Sequence, residues 1–271
     1  MAFEKWAARI AVWTGALITF GVLGFVIIFI FVNGIPYVNF DLFATEYTQQ
    51  NASLFPALVS TLYTIILSLL ISAPIGIFTA IYLVEYADRS KPIVKVISVA
   101  IDTLAAVPSI VFGLFGFLFF VTALKLQFSL ISGVLTMSIM ILPLIIRSTE
   151  EALIAVDRSL REASYGLGAG KLRTIFNVIL PVAIPGILSG VLLAIGRIIG
   201  ESAALIYTMG SATNIPADFK SSGRTLAVHM YMLSRENRFV DQAFATGVVL
   251  IFVVLILNFI STLISRRLQK N

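Results

Sequence analysis

The sequence predicts an all-α integral membrane protein, and three observations lead to that fold class. The chain has 271 residues, of which 59% are apolar and only 12% charged, with a mean hydropathy of +1.00. A composition of this kind is typical of membrane proteins and not of soluble domains. Six runs nearly free of charge are long enough to cross a bilayer as helices. Lys and Arg, with Arg89 and Lys270 among them, concentrate in alternate segments between these runs, which predicts that both termini are cytoplasmic.

The prediction is a single transmembrane domain over residues 1–271. The first run follows a basic lead, but it is longer than the apolar part of a signal peptide, so it is interpreted as a retained span. The segment 210–241 is predicted to be an external loop, and 147–181 a cytoplasmic segment. The six predicted spans are 10–32, 55–84, 96–124, 127–146, 183–209 and 243–264.

A polar, glycine-rich stretch, EASYGLGAGKLRTIFNVILP (162–181), separates the fourth and fifth spans. Taken alone, it predicts a helix, a turn and a second short helix. Ser159 and Glu162 match a capping box for the first helix. The glycines around Gly168 permit a turn with positive φ, and a proline limits the second helix, 171–179. A compact helical hairpin on a membrane protein is a candidate docking element.

The frame of this stretch resembles the "EAA" coupling loop of the permease subunits of ATP-binding-cassette (ABC) importers. Two further segments, LPLIIRSTEEAL (142–153) and GRIIGESAALIYTMGS (196–211), resemble the PstA branch of that family, which belongs to phosphate importers. Ser164 (usually Ala) and Val178 (often Ile) are mild departures from the pattern. The residues that fall on the frame are Glu162, Ala163, Ser164, Gly168, Val178, Leu180 and Pro181.

This resemblance implies a type I ABC importer permease (MetI-like) fold and a role as one half of a phosphate translocation pathway. It implies a PstC-like second permease and two PstB-like ATPase subunits that bind ATP and Mg²⁺, with no cofactor on this chain. It also implies a PstS-like phosphate-binding protein that docks on the external loop, and a location in the inner membrane of a prokaryote. The hairpin is then the element that docks on the ATPase.

Arg197 and Glu201 are the first candidates for the substrate pathway. Arg197 falls near the middle of the fifth predicted span, where an arginine costs about 2.5–3.5 kcal/mol and needs a partner or water. Glu201 follows at the spacing at which helical side chains meet. Both lie on a stripe of small residues, Gly186 and Gly190 among them, which predicts that the charges face the protein interior beside an open volume. Either the two charges neutralise each other and fix packing, or Arg197 lines the path of an anion. A guanidinium suits phosphate because it donates two parallel hydrogen bonds, and a carboxylate can accept one from a protonated phosphate.

Arg147 and Ser109 are weaker candidates for the same pathway. Arg147 lies at the cytoplasmic end of the fourth span, where it either takes part in translocation or extends to the lipid headgroups. Ser109 follows Pro108 and offers a hydroxyl where a kink frees backbone carbonyls, although the proline alone explains a kink. Asp102 is expected to pair with a lysine of a loop.

Several kinds of site are excluded by the residues present. The chain has no cysteine and one histidine, His229, which is expected to be a satisfied or solvated loop residue. A zinc site or an intramembrane Ser–His pair is therefore improbable. No nucleotide-binding GxxxxGK[ST] frame occurs, so we expect no catalytic centre on this chain. Two alternatives stay open: a permease for another oxyanion such as molybdate or sulfate, and an ion-coupled secondary transporter, which would leave the hairpin unexplained.

Overall fold

The computed structural model describes residues 2–88, 90–236 and 239–268, and every regular element in these ranges is helical. Five of the helices are long and apolar enough to cross a membrane, and a bent pair makes a sixth if it counts as one span. The predicted all-α membrane fold class is therefore confirmed. Arg89 and Lys270, which the sequence prediction counts as cytoplasmic, lie outside the described residues.

The N-terminal helix α1 (Ala2–Gly34) lies at the periphery and packs chiefly against the last helix, α11 (Val240–Leu268). Gly34 allows a close approach, because a Cβ at this position would lie 2.5 Å from the carbonyl oxygen of Phe244. The ring of Phe29 meets that of Phe244 edge-on, with centroids 5.6 Å apart. Most described side chains of α1 are apolar and exposed, as expected of a helix that faces lipid.

The centre of the fold is α5 (Leu130–Ile154), which packs against α2 (Phe55–Ile81). Buried hydroxyl groups connect the two helices. The Oγ atoms of Ser138 and Ser68 both donate to the carbonyl of Val134, at 2.8 and 3.3 Å. Hydroxyl groups that return to backbone carbonyls are typical of helix contacts in membranes, where no water is available to satisfy them.

The small residues of α8 (Leu180–Gly200) serve packing against α5 and do not leave free space. A Cβ on Gly186 would lie 2.6 Å from the Cβ of Ala152, and one on Gly190 would overlap Ser148. The prediction that this stripe borders an open volume is therefore wrong. Close helix approach explains these glycines instead.

The third predicted span is interrupted. It consists of α3 (Pro92–Ala106) and α4 (Ser109–Gly116), whose axes are bent by 101° at the junction. Pro108 causes the break, since it lacks an N–H and disfavours helical geometry in the preceding residue. Val107 accordingly has extended backbone angles, with φ −68° and ψ 131°.

The fifth predicted span is also interrupted, so the prediction of one helix over 183–209 is wrong. Helix α8 ends at Gly200, and Glu201 adopts φ −78° and ψ 126°, outside the helical region. A short helix, α9 (Ala203–Thr208), follows. The carboxylate of Glu201 caps it, with Oε1 accepting from the backbone N–H of Ala204 at 3.0 Å. Glu201 thus ends one helix and begins the next.

Towards the cytoplasm, the second helix of the hairpin continues into the membrane. Helix α7 (Lys171–Thr174) passes through a π-helical turn, Ile175–Ile179, directly into α8. Pro181 was expected to limit this helix, but it occupies the first turn of α8, where a missing N–H does no harm. Other π-helical turns end α2 (Tyr82–Tyr86) and extend α4 (Phe117–Ala123).

The predicted external loop contains a helix, α10 (Leu226–Arg235), which packs against α11. The segment before it closes over the first turn of α5. The backbone N–H groups of Leu130 and Ile131 donate to the carbonyls of Ser221 and Phe219, both at 2.9 Å. These bonds satisfy amides that a helix N-terminus leaves without an internal partner.

Candidate functional site

The first helix of the hairpin, α6 (Arg158–Gly166), is capped by Asp157 and not by Ser159 as the sequence predicts. Oδ1 of Asp157 accepts from the backbone N–H of Ser159 at 2.8 Å. Hydrogen bonds from the backbone and side chain of Ser159 hold the pKa of Asp157 below its ordinary value. The carboxylate is therefore ionised at the positive end of the helix, which stabilises the start of the hairpin.

Gly168 forms the end of α6. It has φ +81°, and its N–H donates to the carbonyl of Tyr165 at 2.9 Å, while the N–H of Ala169 donates to that of Ser164 at 3.1 Å. This pair of bonds is the Schellman motif, which requires a left-handed residue after the helix. Nothing lies within 4 Å of a Cβ built on Gly168, so backbone conformation and not crowding requires the glycine.

A buried hydroxyl pair holds the two helices of the hairpin together. The Oγ of Ser164 and the Oγ1 of Thr174 are 2.8 Å apart, and both residues are buried. This contact explains why a serine stands at a position where the family pattern usually has alanine. The serine hydroxyl, which an alanine would lack, forms a hydrogen bond with the buried hydroxyl of Thr174, so neither polar group is left without a partner.

The opposite side of the hairpin is exposed. Glu162 and Ala163 are exposed, and Glu162 has no hydrogen bond or ion pair with any residue in the described ranges. Leu167 is 89% exposed at the tip. A small, partly apolar helix end without an internal partner suits a docking role. Val178 and Leu180 are half-buried and Pro181 is exposed, on the helix that leads back into the membrane.

Arg161, which the sequence analysis did not select, anchors the hairpin to the spans. Its Nε and Nη2 donate to Oε1 of Glu85 at 3.3 and 3.1 Å. Nη1 donates to the carbonyl of Val156 at 2.7 Å, and Nη2 to that of Leu153 at 2.8 Å. No sequence signal links Arg161 with Glu85, because the two stand in different cytoplasmic segments and only the fold brings them together.

Arg197 is half-buried in the last turn of α8 and makes no hydrogen bond or ion pair with any described residue. The predicted pair with Glu201 does not form, because the helix ends between the two. Around Gly196 and Gly200 a Cβ would meet nothing within 4 Å, and Leu193 is exposed. The guanidinium therefore stands at the edge of an open face.

Ser109 lies at the level of the same interruption. A Cβ on Gly113 would lie 2.8 Å from the Cα of Ala204, and one on Gly116 would contact Thr208, so α4 and α9 run parallel. Ser109 begins α4 one turn before Gly113, and the interruption at Glu201 comes directly before α9, so both helix breaks adjoin this contact. The hydroxyl of Ser109 has no hydrogen bond with a described residue. Irregular backbone inside a membrane protein is tolerated where it is buried in protein or lines a cavity.

Arg147, by contrast, is fully occupied by the protein. Its Nε donates to Oδ1 of Asp102 at 2.7 Å, its Nη2 to the carbonyl of Ser98 at 2.8 Å, and its Nη1 bonds to Glu150. Asp102 therefore pairs with Arg147 and not with a loop lysine. The arginine ties α3 to α5, and two carboxylates neutralise the charge that an anion would need.

His229 differs from the expectation of a satisfied or solvated residue. It is fully buried, and neither ring nitrogen has a hydrogen-bond partner among the described residues. Burial, assisted by the charge of Arg224, lowers the pKa of His229 to about 3. The guanidinium of Arg224 lies 4.6 Å from the ring centroid of Tyr47. No cluster of metal-ligating side chains occurs among the residues of the described ranges.

Comparison with known protein families identifies the family of this chain. Residues 72–271 match the family described as the binding-protein-dependent transport system inner membrane component. The chain belongs to this family. It is therefore a transport permease subunit of a multi-pass membrane system, and such permeases work with an ATPase and a solute-binding protein. The alternative of an ion-coupled secondary transporter is wrong.

Individual relatives in the same family agree. The chain is 32% identical over 265 residues to the probable ABC transporter permease YqgI of Bacillus subtilis, and covers 90% of each protein. It is 35% identical over 219 residues to the phosphate transport system permease PstA 1 of Mycobacterium tuberculosis H37Rv, covering 80% of this chain and 70% of that one. Some relatives are longer: the chain covers 39% of the PstA homolog of Mycoplasma pneumoniae, at 34% identity.

Solved structures with little sequence identity establish the fold of this permease. A chain of a bacterial alginate ABC transporter superposes with a TM-score of 0.72 at 17% identity, covering 99% of this chain and 96% of that one. A chain of the MetNI methionine ABC transporter superposes with a TM-score of 0.60 at 19% identity, covering 79% and 94%. The predicted MetI-like fold is confirmed.

Proposed function

We propose that this permease is one half of the translocation pathway of an ATP-driven phosphate importer in the cytoplasmic membrane of a prokaryote. Similarity to PstA permeases supports phosphate as the substrate. The structural observation that carries the proposal is Arg197, an arginine of a membrane helix with which no residue of the described ranges pairs. An uncompensated charge in a span is expensive, so it is retained where a substrate or water supplies the partner.

The surroundings of Arg197 suit weak, transient binding of an anion better than tight binding. A guanidinium donates paired hydrogen bonds that match phosphate oxygens. The two neighbouring glycines, Gly196 and Gly200, leave room beside it, and Ser109 offers a hydroxyl near the same level. One arginine with open surroundings holds an oxyanion weakly, and weak binding suits a pathway because the substrate must also leave.

The partners follow from the surfaces that the chain leaves open. A PstC-like permease would complete the pathway against the exposed face of α8 that carries Leu193. Two PstB-like ATPases would bind ATP and Mg²⁺, one of them receiving the exposed face of α6 around Glu162 and Ala163. A PstS-like protein would deliver phosphate to the segment 210–241. This chain itself would then need no cofactor.

Uptake of labelled phosphate tests the proposal in cells that lack their own phosphate permease and express all partners. The parent chain should restore uptake, and Arg197→Gln should reduce it by about tenfold or more, since a charge-assisted contact is worth about 1.5–3 kcal/mol. Arg197→Lys should fall between them, because it keeps the charge and loses the fork. Ser189→Ala, at an exposed position of the same helix, is the control. Uptake by Arg197→Gln at the parent rate, with equal membrane levels, would refute a role in the pathway.

A permease for sulfate or molybdate is the second candidate, and Glu201 bears on it. A carboxylate paired with Arg197 would have favoured a protonated phosphate over sulfate, but Glu201 is buried and caps α9 instead. The choice of phosphate as the substrate therefore rests on the similarity to PstA permeases, and Glu201 gives no support for it. Uptake of labelled phosphate in the presence of excess unlabelled sulfate, molybdate or phosphate separates the candidates. Only unlabelled phosphate should reduce the uptake.

A further inference from the structure

We propose that the largely buried ion pair between Arg161 and Glu85 is the connection through which α6, here called the coupling helix, moves α2. In this proposal Arg161 is a positioning residue, and it binds neither substrate nor nucleotide. The inference rests on the coupling of this chain to an ATPase. It adds a specific route by which a movement of α6 reaches the membrane helices.

The coupling helix has few other attachments to the spans. Helix α6 packs mainly against the chain that follows it, α7 and the π-helical turn Ile175–Ile179. The hydroxyl pair of Ser164 and Thr174 belongs to that same contact. A displacement of α6 therefore carries α7 and α8 with it through covalent continuity. Helix α8 would carry α5 with it through their close packing, whereas α6 itself reaches the turn that ends α2 through Arg161.

Arg161 supplies that link to both helices at once. Two of its nitrogens converge on Oε1 of Glu85, which belongs to the π-helical turn that ends α2. The remaining bonds reach the carbonyls of Leu153 and Val156, at the C-terminal end of α5. The carbonyl of Leu153, in the last turn of α5, has no partner within that helix, and a cation is favourable at this negative end. The planar guanidinium can satisfy three acceptors in fixed directions, which a lysine cannot do.

The π-helical turn that carries Glu85, at the end of α2, is packed firmly enough to transmit a movement. The side chains of Glu85 and Arg161 are only 7% and 17% exposed, so removing either charge leaves the other buried and unpaired. Leu83, in the same turn as Glu85, is buried in a cluster with residues of α5 and the hairpin. The ammonium of Lys171 lies 4.4 Å from the ring centroid of Tyr86, so the second helix of the hairpin contacts this turn as well.

The test uses the complete complex in liposomes and measures phosphate transported per ATP hydrolysed. Glu85→Gln keeps the shape of the side chain and removes its charge, and Arg161→Lys keeps the charge and removes the fork. Both should assemble with the ATPase and hydrolyse ATP, yet transport per ATP should fall about tenfold, a usual size for coupling between sites. Glu151→Gln is the matched control, because Glu151 is exposed and has no ion pair among the described residues.

A covalent bridge should replace the ion pair. The chain has no cysteine, so Glu85→Cys combined with Arg161→Cys introduces the only thiols on it. A short bifunctional thiol reagent should restore transport per ATP in this double variant, and a reagent that modifies each thiol singly should not. Parent-like coupling in both Glu85→Gln and Arg161→Lys would overturn the proposal, as would failure of the bridged variant to regain coupling.

A substrate-independent measurement separates this inference from the choice of phosphate. Leu70→Cys places a label on the exposed face of α2, the helix that the ion pair is proposed to move. In the parent, ATP with vanadate should change the rate at which a maleimide labels this cysteine, and Glu85→Gln should abolish the change. If the label responds in the parent but no phosphate is carried, the substrate assignment fails and the inference stands. If the label responds equally in both, the inference fails.

Discussion

Replacement of Gly168 by alanine should loosen the tip of the coupling hairpin without creating any steric clash. Gly168 has φ +81°, and an alanine in this left-handed region costs roughly 1–2 kcal/mol. No atom lies within 4 Å of the added Cβ, so crowding contributes nothing. The penalty cannot grow much beyond this value, because the end of α6 can fray and exchange its two Schellman bonds for bonds to water.

Gly166 provides a control that changes the same atoms in a different conformation. It lies in the last turn of α6, has no positive φ and would also meet nothing within 4 Å. Gly166→Ala should therefore stabilise the helix by up to about 1 kcal/mol, because alanine restricts the unfolded chain and favours the helix. The two substitutions should shift the stability of the hairpin in opposite directions.

Amide hydrogen exchange, read on a peptide that contains Gly168 and Ala169, measures this difference. A cost of 1–2 kcal/mol corresponds to roughly 5- to 30-fold faster exchange of these amides in Gly168→Ala. Gly166→Ala should exchange at the parent rate or more slowly. If Gly168→Ala exchanges like the parent, or if both variants accelerate equally, the conformational explanation of this glycine is refuted.

Two further predictions concern stability, one through packing and one through pH. Gly190→Val should destabilise the protein by at least about 1–3 kcal/mol, because even a Cβ would lie 1.8 Å from the Oγ of Ser148. Gly196→Ala should be tolerated, because nothing lies within 4 Å of its Cβ, and thermal unfolding in detergent compares the two variants. The folded pKa of His229 is about 3, below its unfolded value of about 6.5, so the protein should lose stability as pH falls from 6.5 towards 3, by about 2 kcal/mol at pH 5. His229→Leu should flatten this acid slope, and an unchanged slope would contradict the assignment.

The parts of this fold that follow from the sequence are those set by local pattern. The hairpin and its glycine at the turn were predicted because Gly168 must supply a positive φ whatever the rest of the chain does. The interruptions of the third and fifth spans were not predicted as breaks. Pro108 allowed a kink, but the 101° bend depends on what α4 packs against. Glu201 stands four residues after Arg197, a spacing that indicates a helix, and the competing bond to Ala204 becomes visible only in three dimensions.

The two arginines selected from the sequence show why the assignment of a pathway needs the structure. Arg147 ends one apolar run and Arg197 lies within another, so the sequence ranks Arg197 first only by its depth in the predicted span. In the fold, Arg147 meets two carboxylates and a carbonyl, so an anion at this place would have to displace ligands that already neutralise the charge. Arg197 has no such partner in the described chain and stands beside open glycines. The same chemical group thus fixes helix packing in one place and leaves its charge available in the other. An unpaired arginine in a span costs about 2.5–3.5 kcal/mol, and a translocated anion or a group on the facing permease would offset this cost by pairing with Arg197.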